Sequence, residues 1–310
     1  MLGFVVGIDE LNTVVRAGLS RPSRVVDVTT LRGSTNKDVY RVGFADDSTA
    51  VLYVWDPAPP ETGPLTDASG LDLFEAAYES LEALDIATPG VYFTDRSRSR
   101  YPADVALVQD VAGGTLEALL DIDPGRAYAT LAELRRSLGV MHSWRGRRIG
   151  RLAEIESGIA TDERSCEQIV LDRALRHLAT AVDRVPRIAA VADDLHAALR
   201  ELYAAIPPRA LYGLIHGDLG PDHVLVDEHG RPYLVDIEGL MYFDVEWEHN
   251  FLRIRFHEHY GALRETGLDP ARMRFYALAT HLSLVASGIP MVEDLRIAEH
   301  NVMQTLAFLP

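Results

Sequence analysis

The chain has 310 residues, of which 47% are hydrophobic, and this is enough for one large domain or two lobes with buried cores. Its net charge of −16 argues against nonspecific binding to nucleic acid or to anionic membranes, because both attract basic surfaces. A cationic or neutral small-molecule partner fits this charge better. Cys166 is the single cysteine, which excludes an internal disulfide. We see no signal peptide and no apolar run of membrane-spanning length, and we expect a cytoplasmic protein.

The first third of the chain has the pattern of a small α+β lobe, which we assign to residues 1–110. Apolar spacing predicts a short helix over residues 8–19, and Pro and Gly residues predict a loop over residues 56–70. An amphipathic helix that carries Glu75 follows over Leu71–Leu84. Strands are predicted around these segments, the first three as an antiparallel meander: Val25–Leu31, Val39–Phe44, Ala50–Trp55, Val91–Thr94 and Val105–Asp110.

The remainder, residues 111–310, changes to a helical period and is predicted to be mainly helical. Ala112-Gly113-Gly114 ends the first lobe, and Thr115 can cap a short helix. Apolar spacing then predicts helices over residues 126–143, 165–184, 189–206, 245–256, 271–287 and 294–308.

A hairpin interrupts these helices between Leu214 and Leu240. Its strands are predicted at Val224–Val226 and Tyr233–Val235, and an Asp-Glu-His-Gly-Arg-Pro turn separates them. His216, Asp218 and His223 precede or begin the first strand, and Asp236 follows the second. We therefore expect the hairpin to hold these four side chains near one another, because its strands fix both ends on a rigid support.

These residue types suit phosphoryl transfer. The reaction needs a carboxylate that orients or deprotonates the attacking hydroxyl, and ligands that hold Mg²⁺ on the donor phosphates. Asp218 suits the first role, and Asp236 suits the second. The turn formed by Gly33, Ser34, Thr35 and Asn36 can present backbone N–H groups to a phosphate, although the same residues are also typical of hairpin turns.

The spacing of His216, Asp218, His223 and Asp236 resembles that of the aminoglycoside and macrolide phosphotransferases. In that family a catalytic loop of the form His-x-Asp-x-x-x-x-Asn/His precedes a strand pair that ends in Asp. The resemblance implies a bilobal protein-kinase-like fold and a kinase that uses ATP or GTP to phosphorylate a small molecule. An amine-bearing antibiotic or metabolite would fit the acidic composition, and a role in antibiotic resistance would follow.

The resemblance also implies roles for individual residues. Asp218 would be the catalytic base or hydroxyl-positioning residue, and His216 a buried hydrogen-bonding support for the loop. Asp236 would be the main Mg²⁺ ligand and His223 the second metal position, where imidazole could favour Mn²⁺ or bind through water. Residues 1–110 would bind the nucleotide, and residues 111–310 would provide catalysis and acceptor binding. The hinge would present backbone groups to the base at Gln109, Asp110 and Val111.

One position departs from the family pattern. Strand Val51–Trp55 aligns with the strand whose lysine pairs with the helix glutamate and holds the α and β phosphates, but here that residue is Tyr53. Glu75 is the best match to the helix glutamate. Lys37 is the only lysine in the chain. One hypothesis is that it supplies the missing charge from the phosphate-facing turn, and the other is that it is a solvated turn residue. The alternative is a catalytically weak or inactive kinase-like protein that binds a nucleotide or ligand to regulate a partner.

Overall fold

The computed structural model describes residues 12, 15, 24–34, 37–55, 63–99, 101–158, 163–287 and 295–309, without the side chains of residues 32–34 and 295–298. Two compact units divide the chain. The first contains Met1–Met141, Arg151–Ile159 and Pro221–Leu240, and the second contains His142–Gly150, Ala160–Gly220 and Met241–Pro310. Each unit is discontinuous in sequence, whereas the predicted lobes, 1–110 and 111–310, are continuous. The hairpin stretch predicted from the sequence contributes residues to both units.

Strands dominate the N-terminal region of the described chain, and shorter strands recur further along it. In chain order they are β1 (Val25–Ser34), β2 (Lys37–Phe44), β3 (Thr49–Trp55), β4 (Val91–Asp95), β5 (Asp104–Gln109), β6 (Arg145–Gly146), β7 (Gly150–Arg151), β8 (Tyr212–Ile215), β9 (Val224–Val226), β10 (Pro232–Leu234) and β11 (Met241–Phe243).

Helices occupy most of the C-terminal region, and one helix lies between β3 and β4 of the first sheet. They are α1 (Leu71–Ala83), α2 (Leu116–Ile122), α3 (Pro124–Ser143), α4 (Leu152–Glu156), α5 (Cys166–Arg184), α6 (Pro186–Ala189), α7 (Ala192–Ala204), α8 (Val245–Arg255), α9 (Tyr260–Leu263), α10 (Pro270–Ala286) and α11 (Leu295–Leu306). Short 3-10 helices occur at Pro221–His223, Ile237–Gly239 and His257–His259.

The first unit is built on an antiparallel sheet with the strand order β1-β2-β3-β5-β4. Strand β3 is central and is buried from Ala50 to Trp55 because strands flank it on both sides. Its alternating side chains serve two layers. Leu52 and Val54 belong to the apolar core on one face, whereas Tyr53 and Trp55 meet Phe74 of α1 on the other, at ring-centroid distances of 5.7 and 5.4 Å.

The hairpin of β9 and β10 also belongs to the first unit. Val226 pairs with Pro232, and Val224 pairs with Leu234, so the second strand begins one residue earlier than predicted. Its turn is closed by Asp227, whose Oδ1 accepts the backbone N–H groups of His229 and Arg231, each at 2.9 Å. The Asp227 side chain therefore fixes the backbone of the hairpin turn.

The second unit is mainly helical. Helix α5 packs against α7 and α10, and α10 packs against α8 and α11. Leu178, Leu199, Phe275 and Leu282 are among the apolar side chains buried there. Strand β8 pairs antiparallel with β6 and β11, and it ends at Ile215, directly before His216.

The antiparallel N-terminal sheet and the helical C-terminal region confirm the predicted α+β class. Asn12 and Val15 are helical, while the rest of the predicted helix over 8–19 and residues 56–62 of the predicted loop lie outside the described residues. Among the described helices, none combines the length and the apolar content needed to cross a bilayer.

Candidate functional site

Asp236 follows strand β10 in a backbone conformation that few residues other than glycine adopt. Its φ is 59° and its ψ is 43°, which lies in the left-handed region. Such conformations cost free energy and are enriched at functional sites. The backbone N–H of Val235 donates to the carbonyl of His223 at 3.0 Å. This contact ties the end of the second hairpin strand to the start of the first.

Lys37 is the first residue of β2, and its ammonium group lies at Asp236. The Nζ atom donates to Asp236 Oδ1 at 2.8 Å and to Glu238 Oε1 at 2.7 Å. The residue is only 6% exposed. Burial disfavours the ammonium form, but Glu238 and Asp236 outweigh it and raise the pKa of Lys37 above its usual range. The side chain is therefore a buried, permanently charged cation at the candidate metal ligand.

The register of the sheet explains this placement of Lys37. Lys37 pairs with Trp55 across β2 and β3, and Val39 pairs with Tyr53. Opposed residues share one face of a sheet, so the side chains of Lys37, Tyr53 and Trp55 lie on the same side. The Lys37 Nζ atom lies 5.0 Å from the centre of the Tyr53 ring, within the range of a cation–π contact. Position 53, where the family pattern has a lysine, is thus a tyrosine whose ring contacts Lys37.

Tyr53 remains a neutral phenol in this setting. Burial is the main cause that raises its pKa, to about 12, and the Lys37 charge only partly opposes it. The aromatic ring also packs edge-on against Trp55 and Phe74. Tyr53 therefore contributes an apolar wall and a π face to the site.

Glu238 is a site residue that the sequence analysis missed. Its side chain is 4% exposed, and its Oε1 accepts both the Lys37 ammonium and the Trp55 Nε1–H, the latter at 3.0 Å. The sequence signal was its spacing from Asp236, which places a second acid two residues after the candidate metal ligand. Only the fold brings that acid to strand β2, because 201 residues separate it from Lys37.

Glu75 lies on α1 as predicted, but its carboxylate contacts a different cation. Arg96 Nη2 pairs with Glu75 Oε2, and Arg96 Nη1 pairs with Asp72 of the same helix at 2.9 Å. The Arg96 side chain is 59% exposed, so this pair lies at the surface. Lys37 and Glu75 thus have separate partners among the described residues.

The predicted phosphate-binding turn is only partly described. The backbone of Gly33 and Ser34 belongs to β1, and Ser34 pairs with Lys37 at the start of β2. Thr35 and Asn36 lie outside the described residues. The turn therefore begins beside Lys37, which is itself a strand residue and not a turn residue.

His223 and Asp236 come together as the predicted metal ligands. His223 Nε2 lies 3.9 Å from Asp236 Oδ2 and 3.8 Å from Asp222 Oδ2. Mg²⁺ commonly takes one or two carboxylate ligands from the protein and the rest from water and phosphate oxygens. An aspartate and a histidine with a second carboxylate nearby fit that requirement, and the imidazole nitrogen also suits Mn²⁺.

The predicted hinge begins at Gln109, the last residue of β5, and continues through Asp110 and Val111. Gln109 Oε1 accepts the backbone N–H of Gly90 at 3.2 Å, and Val111 is buried. Asp110 makes a two-point contact with Arg41 of β2, at 2.7 and 3.1 Å. Immediately after them, Gly114 accepts the backbone N–H of Val226 at 2.9 Å, so the hinge is held by strand β9.

His216 and Asp218 belong to the second unit, where Glu248 anchors their loop. Glu248 Oε1 accepts the backbone N–H groups of His216 and Gly217, at 2.8 and 3.0 Å. The Asp218 side chain is 60% exposed, and its Oδ1 lies 3.7 Å from Arg255 Nη1. The loop is thus fixed through its backbone while the Asp218 carboxylate remains accessible to a substrate.

Behind the loop, Glu248 takes part in a buried network with His142 and Glu265. His142 Nε2 contacts Glu248 Oε2 at 2.6 Å, and His142 Nδ1 contacts Glu265 Oε1 at 2.7 Å. Burial lowers the pKa of His142, but the hydrogen bonds to both carboxylates outweigh it and raise the value to about 9. His142, His249 and Glu265 have the grouping of potential metal ligands, yet a charged His142 donates both of its ring N–H groups to carboxylates and has no lone pair for a metal ion.

A family model described as phosphotransferase enzyme family (APH) matches residues 27–276 of the chain. The chain belongs to this phosphotransferase family. No curated protein sequence matches it significantly.

Solved structures of other phosphotransferases have the same fold. A thermostable mutant of aminoglycoside phosphotransferase APH(4)-Ia in its apo form gives a TM-score of 0.65 at 16% identity, over 96% of this chain and 97% of that chain. A ternary complex of such a mutant with ADP and hygromycin B gives 0.60 at 15%, over 92% and 93%.

Two further phosphotransferases extend this comparison. The GDP complex of an aminoglycoside 2'-phosphotransferase IIIa variant gives a TM-score of 0.63 at 17% identity, over 97% of both chains. Ethanolamine kinase of Plasmodium vivax gives 0.53 at 11%, over 91% of this chain and 81% of that chain. These neighbours confirm the predicted protein-kinase-like fold, and they include kinases of different small molecules.

Proposed function

We propose that the protein is a small-molecule kinase that transfers the γ-phosphate of ATP or GTP to a hydroxyl group of an antibiotic-like or metabolite acceptor. Membership of the phosphotransferase family supports the reaction class. The observation that carries the proposal is the Lys37 ammonium at Asp236 Oδ1, 2.8 Å away. It supplies a buried positive charge beside Tyr53, the position at which the family pattern has its lysine.

Asp218 acts as the base or positioning group for the acceptor. Its exposed carboxylate accepts the proton of the acceptor hydroxyl as the oxygen attacks the γ-phosphorus. The bond from the γ-phosphorus to the β–γ bridging oxygen breaks, and ADP or GDP leaves. His216 is a buried support of the loop, and Glu248 holds the loop backbone through two hydrogen bonds.

Asp236 and His223 would hold the divalent ion, Mg²⁺ or Mn²⁺. A bound ion would neutralise charge on the donor phosphates and orient them. Asp236 offers Oδ2 toward His223 while Oδ1 accepts from Lys37, so one carboxylate serves both cations. The backbone of Gly33 and Ser34 and the Lys37 ammonium would contact the phosphates, as would the expected turn residues Thr35 and Asn36, which lie outside the described residues. The backbone at Gln109–Val111 would contact the base. Residues 1–110 are then the nucleotide-binding lobe and residues 111–310 the catalytic and acceptor-binding lobe.

The acceptor is a small molecule with cationic or neutral character. A net charge of −16 favours cations near the protein surface. Hygromycin B, an aminoglycoside phosphotransferase ligand in a solved neighbour, supports an antibiotic-like acceptor and a role in resistance. A cytoplasmic location follows, because ATP and GTP are available there.

Thermal melting followed by a product screen tests this proposal. We expect ATP or GTP with Mg²⁺ or Mn²⁺ to raise the melting temperature, because a ligand that binds only the folded state stabilises it. Phosphorylated product should then form from at least one hydroxylated aminoglycoside or amino-alcohol. Binding without transfer to any acceptor would favour the alternative, a regulatory kinase-like protein, which Tyr53 motivates. No thermal shift with any nucleotide would refute the proposed kinase and the nucleotide-binding form of the alternative.

A further inference from the structure

We propose that Glu238 is the positioning residue that holds the Lys37 ammonium for the donor phosphates, in the role that the family pattern gives to the helix glutamate. This inference rests on the proposed function. Glu238 acts through Lys37 and is not itself in contact with reacting atoms. The lysine and its carboxylate partner have thus both moved, the lysine from β3 to β2 and the acid from α1 to the segment after β10.

Two donors fix the Glu238 carboxylate. Lys37 Nζ lies 2.7 Å from Glu238 Oε1, and Trp55 Nε1 lies 3.0 Å from the same oxygen. Trp55 is 1% exposed and is held by ring contacts with Tyr53 and Phe74. The carboxylate therefore has a defined position set by the packed face of the sheet, and Lys37 takes its position from that carboxylate.

Glu75 cannot supply this partner in the same arrangement. Its carboxylate contacts Arg96, whose side chain is 59% exposed. A surface pair is screened by solvent, whereas the side chains of Lys37 and Glu238 are 5% and 4% exposed. The buried pair is the one that can hold a charge in a fixed geometry.

Glu238 also gives the Lys37 ammonium an anionic partner besides the candidate metal ligand, Asp236. A lysine ammonium has three hydrogen-bond donors, and Asp236 and Glu238 accept two of them here. Glu238 Oε2 is buried and has no hydrogen-bond partner among the described residues. The two Glu238 oxygens could therefore accept two of the three Lys37 donors if Asp236 held a divalent ion, which would leave one donor for a phosphate oxygen.

The same geometry predicts what happens without the Glu238 charge. In Glu238→Gln, Lys37 loses one of its two anionic hydrogen-bond acceptors and keeps Asp236. Lysine then competes with the divalent ion for Asp236. We expect the KM for nucleotide and the metal concentration for half-maximal rate each to rise at least about tenfold, the scale of one lost charged hydrogen bond.

The experiment compares Glu238→Gln, Glu238→Asp and Glu75→Gln, with Glu82→Gln as a charge-matched control on the exposed face of α1. Glu238→Asp should raise the nucleotide KM less than Glu238→Gln does. Glu238→Gln should raise it more than Glu75→Gln does. In a Lys37→Met background, Glu238→Gln should add less than about twofold, because the two residues act as one unit. Full additivity, or a larger loss in Glu75→Gln, would overturn the inference.

Nucleotide-dependent melting shifts keep this inference separate from the proposed function. A wild-type protein that binds nucleotide but transfers no phosphate refutes the proposed kinase, and the shifts of the same variants still report on Glu238. Glu238→Gln should then lose most of the nucleotide shift and keep a cooperative melt. An unchanged shift would refute the role of Glu238, and a wild type without any shift would refute both ideas.

Discussion

Lys37 places on β2 the positive charge that the family pattern places on β3, and this charge lies at Asp236. The ammonium reaches Asp236 from β2 and passes over the Tyr53 ring at 5.0 Å. A tyrosine at position 53 is compatible with this arrangement because its neutral ring accepts a cation–π contact, whereas a second lysine would add a like charge.

Lys37→Met should weaken nucleotide binding about tenfold or more, because a hydrogen bond to a charged group contributes roughly 1.5–3 kcal/mol. Adding Tyr53→Lys to Lys37→Met should restore part of that affinity by returning the charge to β3. Isothermal titration or steady-state KM measurements check both variants. Equal affinity in wild type and Lys37→Met would contradict the role of Lys37.

Asp218→Asn should lower kcat by roughly 10²–10⁴-fold, the usual contribution of a general base. The melting temperature should not change, because the side chain is 60% exposed and Glu248 holds the loop through backbone groups. Asp121→Asn removes an equally exposed acid from α2 and serves as the control. An Asp218→Asn enzyme with wild-type kcat would remove Asp218 from the mechanism.

At the scale of elements, strand β8 leads into the candidate catalytic loop, and helix α8 holds that loop through Glu248. Glu248 of α8 joins two loop N–H groups to His142 at the end of α3. Burial raises the pKa of Glu248, but its hydrogen bond with His142 outweighs this, and the pKa falls below its usual value. The loop therefore depends on a charged histidine that lies outside the catalytic motif.

This network predicts a loss of stability at alkaline pH. The pKa of His142 is raised from 6.5 to about 9, so its stabilisation is complete below pH 6.5 and disappears as pH rises through 9. The melting temperature should fall across that interval. In His142→Gln the slope should flatten, whereas His229→Gln, in the exposed hairpin turn, should keep it. An unchanged slope in His142→Gln would mean that another group titrates.

Gly113 sets how closely the hinge approaches strand β9. A Cβ atom there would lie 1.9 Å from the carbonyl oxygen of Val226, which is backbone and cannot rotate away. Gly113→Ala should therefore destabilise the protein by roughly 1–3 kcal/mol, as overpacking does. Gly139→Ala is the matched control, because its added methyl meets nothing within 4 Å and should stabilise helix α3. Urea unfolding measures both, and equal stability of the two variants would contradict the steric argument.

At the scale of the whole molecule, sequence periodicity predicts most of the architecture. The predicted strand Ala50–Trp55 matches β3 to within one residue, and the predicted helix over 271–287 matches α10 equally closely. Both succeed because burial on a strand or a helix face leaves a periodic apolar pattern. The motif that contains His216, Asp218 and His223 was also visible, since its residues lie close together in sequence.

The partners of the site residues were not predictable in the same way. Trp55 and Glu238 are 183 residues apart, and their contact depends on sheet register and on the exit angle of the hairpin. Glu75 matched the expected position on α1, but Arg96 is a closer cation in the fold. Local patterns do not encode which of several acids meets a buried lysine.

Because Lys37 is the only lysine, its reactivity can report on local opening of the fold. Lys37 is buried and held in the charged, non-nucleophilic form, so reagents that acylate amines should leave it intact in the folded state. Exposure of that amine requires β2 to separate from Glu238 and Asp236. The rate at which Lys37 is acylated therefore measures how often this end of β2 opens. Mass spectrometry can follow the acylation without an engineered cysteine.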